Sequence, residues 1–206
     1  MTQDSSSSWF WEAHNPDERS AWRLRETLFQ GSSEFQEIAI YETFTYGRML
    51  VIDGVVMTTE RDEFVYHESL VHIPLFTHPA PRRVLIIGGG DGGTLREVLR
   101  HPEVEKAVMV EIDGLVIEKC REFLPAIASE FDNPKAEVIV GDGIDYVRKA
   151  QGGSFDVILV DGTDPIGPGE VLFDDEFYAN VARVLTPEGI VATQAPGSPF
   201  YHLEKV

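Results

Sequence analysis

The sequence predicts an α/β protein: a doubly wound, mostly parallel sheet preceded by a small antiparallel β-domain. Three observations lead there. After Arg83, five short runs (84–87, 107–110, 138–140, 157–160 and 190–192) are nearly all apolar and mostly β-branched, as strands buried on both faces are. Segments of helical length at 94–101, 115–123, 144–150 and 177–185 separate them, and alternating strand and helix winds a parallel sheet. Before Arg83, from Glu34 to Thr59, short strand-like runs follow one another with no helical spacer between them.

In chain order, the first ten or so residues are polar and are expected to be loose. Phe35-Gln36-Glu37-Ile38-Ala39-Ile40-Tyr41, then Arg48-Met49-Leu50-Val51-Ile52, then Val55-Val56-Met57-Thr58 read as strands. Asp53-Gly54, between the last two, is the pair that a two-residue hairpin turn wants, because both positions need positive φ. Thr59, with Asp62 three residues on, offers a helix start. That helix is expected to turn Phe64, Leu70, Val71 and Ile73 inward and to stop near Pro74. Pro79 and Pro81 mark a short joint, so the chain divides into an N-terminal β-domain with its linking helix (1–77) and a nucleoside-binding domain (78–206).

Composition narrows the partners. Lys plus Arg number 17 and Asp plus Glu 35, a net charge of −18. Such a chain repels phosphate backbones and anionic lipid, so neither nucleic acid nor a membrane surface is expected as a partner. A single cysteine, Cys120, excludes an intrachain disulfide framework and a Cys-based zinc site. The six histidines show no metal-ligand spacing, and no metal is expected. No apolar run approaches the roughly 18 residues of a membrane span, and the Ser-rich opening lacks the parts of a signal peptide. A soluble, cytoplasmic protein is the expectation.

Ligands of open α/β sheets bind beyond the carboxyl ends of the strands. The residues there are acidic four times in succession: Asp91 within Gly88-Gly89-Gly90-Asp91-Gly92-Gly93, Glu111, Asp142 between two glycines, and Asp161 followed by Asp164. A lone Asp after a strand is usually a helix N-cap; four consecutive strands aimed at one rim ask for more. The glycines Gly88, Gly90 and Gly93 match a dinucleotide fingerprint, and Glu111 lies where its ribose acid belongs. Asp91 argues against that ligand, because it would set a carboxylate against a pyrophosphate. A nucleoside with a cationic tail fits instead, and S-adenosylmethionine is of that kind. Glu111 suits its ribose and Asp142 its adenine amino group. Asp91, near the amino-acid tail, favours a ligand that has lost its carboxylate. Asp161 and Asp164 could hold an ammonium, and one of them could take its proton.

Several long motifs then resemble one family. Gly88-Gly89-Gly90-Asp91-Gly92-Gly93 continuing through Thr94-Leu95-Arg96-Glu97-Val98, the stretch from Asp53 to Asp62, Tyr66-His67-Glu68, and the stretch from Asp161 to Pro168 are similar to spermidine synthases, the polyamine aminopropyltransferases. The similarity runs from about Trp9 to the end of the sequence. The resemblance implies an N-terminal β-domain followed by a Rossmann-like domain, assembled as a homodimer or homotetramer. It implies transfer of the aminopropyl group of decarboxylated S-adenosylmethionine to putrescine, giving spermidine and methylthioadenosine. The donor is a co-substrate, and no cofactor is implied.

The resemblance also implies roles. Gln36 and Glu111 would contact the nucleoside, Asp142 and Gly143 would line the adenine, and Pro168 would close that pocket. Asp91 and His67 would hold the aminopropyl or polyamine amines, Tyr66 would wall the tunnel, Asp161 would accept the proton and Asp164 would grip the distal amine. Read without it, Gln36 is a solvated strand position, His67 a core-edge histidine and Tyr66 a packing aromatic. The family continues past Val206, so its last strands are expected to lie outside this sequence. Two other readings stay open here: a small-molecule methyltransferase using intact S-adenosylmethionine, and a non-catalytic nucleoside- or polyamine-binding form.

Overall fold

A computed structural model describes residues 8–162 and 175–194. The N-terminal part is a five-stranded antiparallel sheet built in chain order from β1 (Trp9–Asn15), β2 (Glu18–Ser32), β3 (Glu37–Thr43), β4 (Arg48–Ile52) and β5 (Val55–Thr59). The β4–β5 hairpin turns at Asp53 and Gly54, both at positive φ (48° and 79°), as the Asp-Gly pair requires. The first two strands depart from the sequence reading. Trp9 and Phe10 belong to β1 rather than to a loose start. The 15-residue β2 forms a long ribbon with Leu24 as its only fully buried residue. Its neighbour β1 is held by ring contacts, with Phe10 6.1 Å from Trp22 and 5.6 Å from Tyr41. So few apolar residues over so long a strand leave little periodic signal.

Helix α1 (Glu63–Thr77) links the two parts. Asp62 occupies the N-cap position, while the Thr59 hydroxyl donates to the Asp62 carboxylate (2.5 Å) instead of capping the helix. The buried stripe is His67, Leu70, Val71, Pro74 and Leu75, the spacing of one helix face. Phe64 and Ile73 are corrected by this register: they are 49% and 68% exposed. The helix also runs through Pro74 into one more turn. A proline forfeits a single backbone bond there, and the His78 N–H still reaches the Pro74 carbonyl.

The second part is a parallel sheet of β6 (Arg83–Gly88), β7 (Lys106–Glu111), β8 (Ala136–Val140), β9 (Phe155–Asp161) and β10 (Leu185–Thr193), in the order β10-β9-β6-β7-β8. Helices α2 (Gly93–Leu99), α3 (Gly114–Phe123), α4 (Gly143–Lys149) and α5 (Asp175–Val184) alternate with the strands. Alternate residues of the central strands feed two cores. Ile86, Met109 and Leu159 pack with Val71 and Leu75 of α1 and with Ile38, Ile40, Leu50 and Ile52 of the first sheet. Leu85, Val108 and Ile158 pack with Val147, Phe177 and Val181 on the opposite face. The two sheets therefore share one core through α1.

The strand order sets the site. The chain steps outward from β6 to β8, then crosses back to lay β9 and β10 on the other side of β6. The crevice of such a sheet opens where that reversal happens, beyond the carboxyl ends of β6 and β9. Gly88 and Asp161 are register partners at that place.

Candidate active site

The loop after β6 approaches its neighbours too closely for side chains. Gly88 has φ +83°, and a Cβ there would collide with the Asp161 carbonyl oxygen. The Gly89 N–H donates to that carbonyl at 2.9 Å. A Cβ on Gly93 would run into the His67 ring. Gly90 comes close enough for its N–H to donate to Glu111 Oε2 at 3.1 Å.

Glu111, at the end of β7, is 9% exposed. Its other oxygen accepts from the Asp113 N–H at 2.9 Å. Burial pushes its carboxyl up to about 7, with the charges of Asp113 and Asp161 adding to the rise and the two backbone donors opposing it. Asp113 is fully buried and uses its two oxygens separately. Oδ1 caps α3 through the Leu115 N–H (2.9 Å), while Oδ2 accepts from the Gln36 amide (2.9 Å) and the Ser33 hydroxyl (2.7 Å). Gln36 precedes β3 instead of lying within it, and it reaches the Glu111 neighbourhood through Asp113. Asp142 caps α4 with Oδ1, which accepts from the N–H groups of Ile144 (2.8 Å) and Asp145 (3.3 Å). Gly143 beside it packs so tightly on Ile87 that a Cβ would lie 2.6 Å from a methyl carbon.

Asp161 ends β9, half-buried at the crevice. The Tyr66 hydroxyl donates to its Oδ1 and the Thr94 hydroxyl to its Oδ2, both at 2.6 Å. Burial raises its carboxyl above the ordinary value, and the charge of Asp91 adds to the rise; His67 and the two hydroxyls oppose it. His67, 2% exposed, lies between Glu63 and Asp91, with Nε2 3.3 Å from Asp91 Oδ2. Burial pulls the imidazole down, but Asp91 and Glu63 outweigh it and bring His67 up to about 10. Its two nitrogens thus face two carboxylates, Glu63 at Nδ1 and Asp91 at Nε2. Asp91 Oδ1 accepts from the Gly93 N–H at 2.8 Å.

Asp91, Glu111, Asp161, Tyr66 and His67 thus gather at one crevice, and Gln36 joins through Asp113. Asp142 and Gly143 begin the neighbouring helix on the same rim. Asp164 and Pro168 lie outside the described residues. Asp113 and Asp142 cap their helices through Oδ1 only. Thr94, Glu63, Arg96, Ser33 and Asp113 escape the sequence reading. A signal existed for two of them: Glu63 lies four residues before His67 on one helix face, and Asp113 two residues after Glu111. Among the described residues, Glu68, His72 and Glu97 bring possible metal-ligand atoms within 4.8 Å of one another. Glu97 there already accepts from Arg96 (2.9 Å) and Arg100 (2.7 Å). Cys120 is buried, which pushes its thiol up and leaves it unreactive.

Two family models match the chain: the spermine/spermidine synthase domain over residues 63–206 and the spermidine synthase tetramerisation domain over residues 8–60. The chain belongs to the spermine/spermidine synthase family. Among its relatives in that family, the polyamine aminopropyltransferase of Clostridium kluyveri is 51% identical over 198 residues, covering 96% of this chain and 71% of the relative. That of Methanocaldococcus jannaschii is 48% identical, covering 96% and 67%. A crystal structure of spermidine synthase in complex with the transition-state analogue AdoDATO superposes with a TM-score of 0.88 at 45% identity, covering 90% of this chain and 64% of that one. Spermidine synthase from Thermotoga maritima gives 0.88 at 44% identity, covering 94% and 65%. The chain thus spans about two thirds of the length of these structures.

Proposed function

We propose that this chain carries the site of a spermidine synthase, moving the aminopropyl group of decarboxylated S-adenosylmethionine to putrescine and releasing spermidine and methylthioadenosine. The observation that supports it best is Asp161: a carboxylate at the sheet's switch point, raised in pKa and fixed by two hydroxyl donors.

The donor's sulfonium makes the adjacent carbon electrophilic without help from a metal. The amine nitrogen attacks that carbon; the new C–N bond forms as the C–S bond breaks, and the electron pair stays on sulfur as a neutral thioether. An alkyl amine has a pKa of about 10.4, so it arrives protonated and must lose that proton. Asp161 accepts it. A raised carboxylate narrows the gap between base and amine, and the hydroxyls of Tyr66 and Thr94 hold the lone pairs that remain. Glu111 takes the ribose hydroxyls, Gln36 steadies that corner through Asp113, and Asp142 with Gly143 lines the adenine, with Pro168 closing the pocket. Asp91 takes the aminopropyl amine, with the His67 imidazolium beneath it. Asp164 grips the acceptor's distal amine. Holding both substrates in line supplies much of the remaining acceleration.

The same reading keeps two domains that meet at 77/78, a homodimer or homotetramer joined through the N-terminal sheet, and a cytoplasmic enzyme with no resident cofactor. No helix among the described residues is long and apolar enough to cross a membrane. The test is mass spectrometry of products from decarboxylated S-adenosylmethionine and a mixture of diamines. Spermidine with methylthioadenosine is expected. A methylated amine from intact S-adenosylmethionine, or nucleoside binding with no product, would overturn the proposal.

A further inference from the structure

Behind the crevice, four side chains of alternating charge run in one line. The Arg96 guanidinium on α2 donates to both Glu63 oxygens, at 3.0 and 2.8 Å. Glu63 accepts from His67 Nδ1 one helical turn away, and His67 Nε2 faces Asp91 Oδ2 at 3.3 Å. Only His67 is fully buried, with side-chain exposures of 17% for Arg96, 10% for Glu63, 2% for His67 and 12% for Asp91. Arg96 is itself fixed by Glu97 through its Nε.

The groups facing His67 come from every element around it. Helix α1 supplies Glu63 and the edge of the Tyr66 ring, the loop after β6 supplies Asp91, and β9 supplies Asp161. Arg96 acts through Glu63, while Glu111 and the neutral Cys120 thiol lie farther round the same field. Asp91 and Asp161 are like charges that feel each other. The charge of Asp91 thus works against the ionised form of Asp161. A proton held on Asp161 would disable the proposed base.

We propose that Glu63, clamped by Arg96, is a positioning residue of this site: it fixes the His67 ring against Asp91 and holds a positive charge there beside Asp161. The inference rests on the reading of Asp161 as the base, yet its central step can be tested without turnover. The order of the line explains its composition. A neutral imidazole could not offset a second carboxylate, and burial alone would strip His67 of its proton. Glu63 opposes that loss, and hydrogen bonds with His67 and Arg96 lower the Glu63 carboxyl against the effect of its partial burial. Glu63 and His67 sit at i and i+4, so a single helix face sets the pair.

The first experiment follows the His67 ring by NMR from about pH 6 to about pH 9. In the unaltered protein His67 is expected to stay protonated throughout. In Glu63→Gln it is expected to lose its proton inside that window, and Glu63→Asp, which retains the charge, should restore most of the wild-type behaviour. The second experiment measures kcat/KM against pH. Glu63→Gln should match the unaltered protein on the acid side, where His67 still carries its proton, and lose activity on the alkaline side, where it does not. A residue that served only folding would lower the rate at every pH. A neutral His67 in the unaltered protein, or a His67 that stays protonated in Glu63→Gln, overturns the proposal. The unaltered protein alone decides the first point should Glu63→Gln not fold. A changed His67 titration in a chain that makes no spermidine would support the charge line and discard the aminopropyl reading.

Discussion

The Tyr66 hydroxyl donates to Asp161 Oδ1 at 2.6 Å across 95 residues of sequence, joining the linking helix to the switch point of the parallel sheet. Thr94 closes on the other oxygen from the start of α2. A carboxylate held by two hydroxyls is oriented, and its anion is favoured against the burial that raises it.

Tyr66→Phe removes one of those donors and keeps the ring. A hydrogen bond to a charged group contributes about 1.5–3 kcal/mol, so the Asp161 carboxyl should rise by about one unit or more. The acid limb of kcat/KM should move to higher pH while the alkaline plateau changes little. A uniform loss at all pH values would mean that Tyr66 only walls the tunnel.

Asp161→Asn should leave methylthioadenosine binding nearly intact, because the proposed nucleoside contacts lie with Glu111 and Asp142. Turnover should fall by about 10²–10⁴, the usual worth of a positioned base. Raising the pH should recover part of it, since more amine then arrives neutral. Retention of most turnover at neutral pH would show that the proton leaves by another route.

Asp91 is proposed to govern donor choice. If it faces the amino-acid end of the donor, the decarboxylated form should bind much more tightly than intact S-adenosylmethionine. Asp91→Asn should shrink that preference, measured as the ratio of the two dissociation constants. Equal affinities in the unaltered protein would remove Asp91 from this role.

The parallel sheet was legible because its central strands β6, β7 and β9 are buried on both faces, whereas the edge strands β8 and β10, read in the same way, are only partly covered. Leu85 and Ile86 are neighbours in sequence, both fully covered, and they enter different cores. No such run marks β2, where charged residues fill the open face and only Leu24 is fully buried. Phe64 and Ile73 misled because apolar character alone does not choose a helix face; His67, Leu70, Val71, Pro74 and Leu75 choose it. The rim acids were legible from their place after strands. Thr94 and Glu63 were not, since a hydroxyl in the first turn of a helix and an acid in a charged helix start are ordinary until the fold brings them to Asp161 and His67.

Glu111 gives the most direct pH signature. Its carboxyl is raised by burial to about 7, so in the unliganded protein ionising it works against folding. Its contribution is present below the ordinary glutamate value of about 4.3 and declines as pH rises toward 7. Ribose hydroxyls reverse the preference, because they donate to the anion. Methylthioadenosine should therefore bind more tightly as pH rises from about 6 to about 8, levelling above the Glu111 value, and the thermal shift on binding should grow over the same range. Glu111→Gln should weaken binding at least about tenfold at pH 8 and flatten the pH dependence, since a neutral amide neither titrates nor makes charge-assisted bonds. Calorimetry across that pH range separates the two effects. NAD, titrated in parallel, should show negligible affinity, because Asp91 repels a pyrophosphate. A pH-independent affinity in the unaltered protein would place the ribose elsewhere than on Glu111.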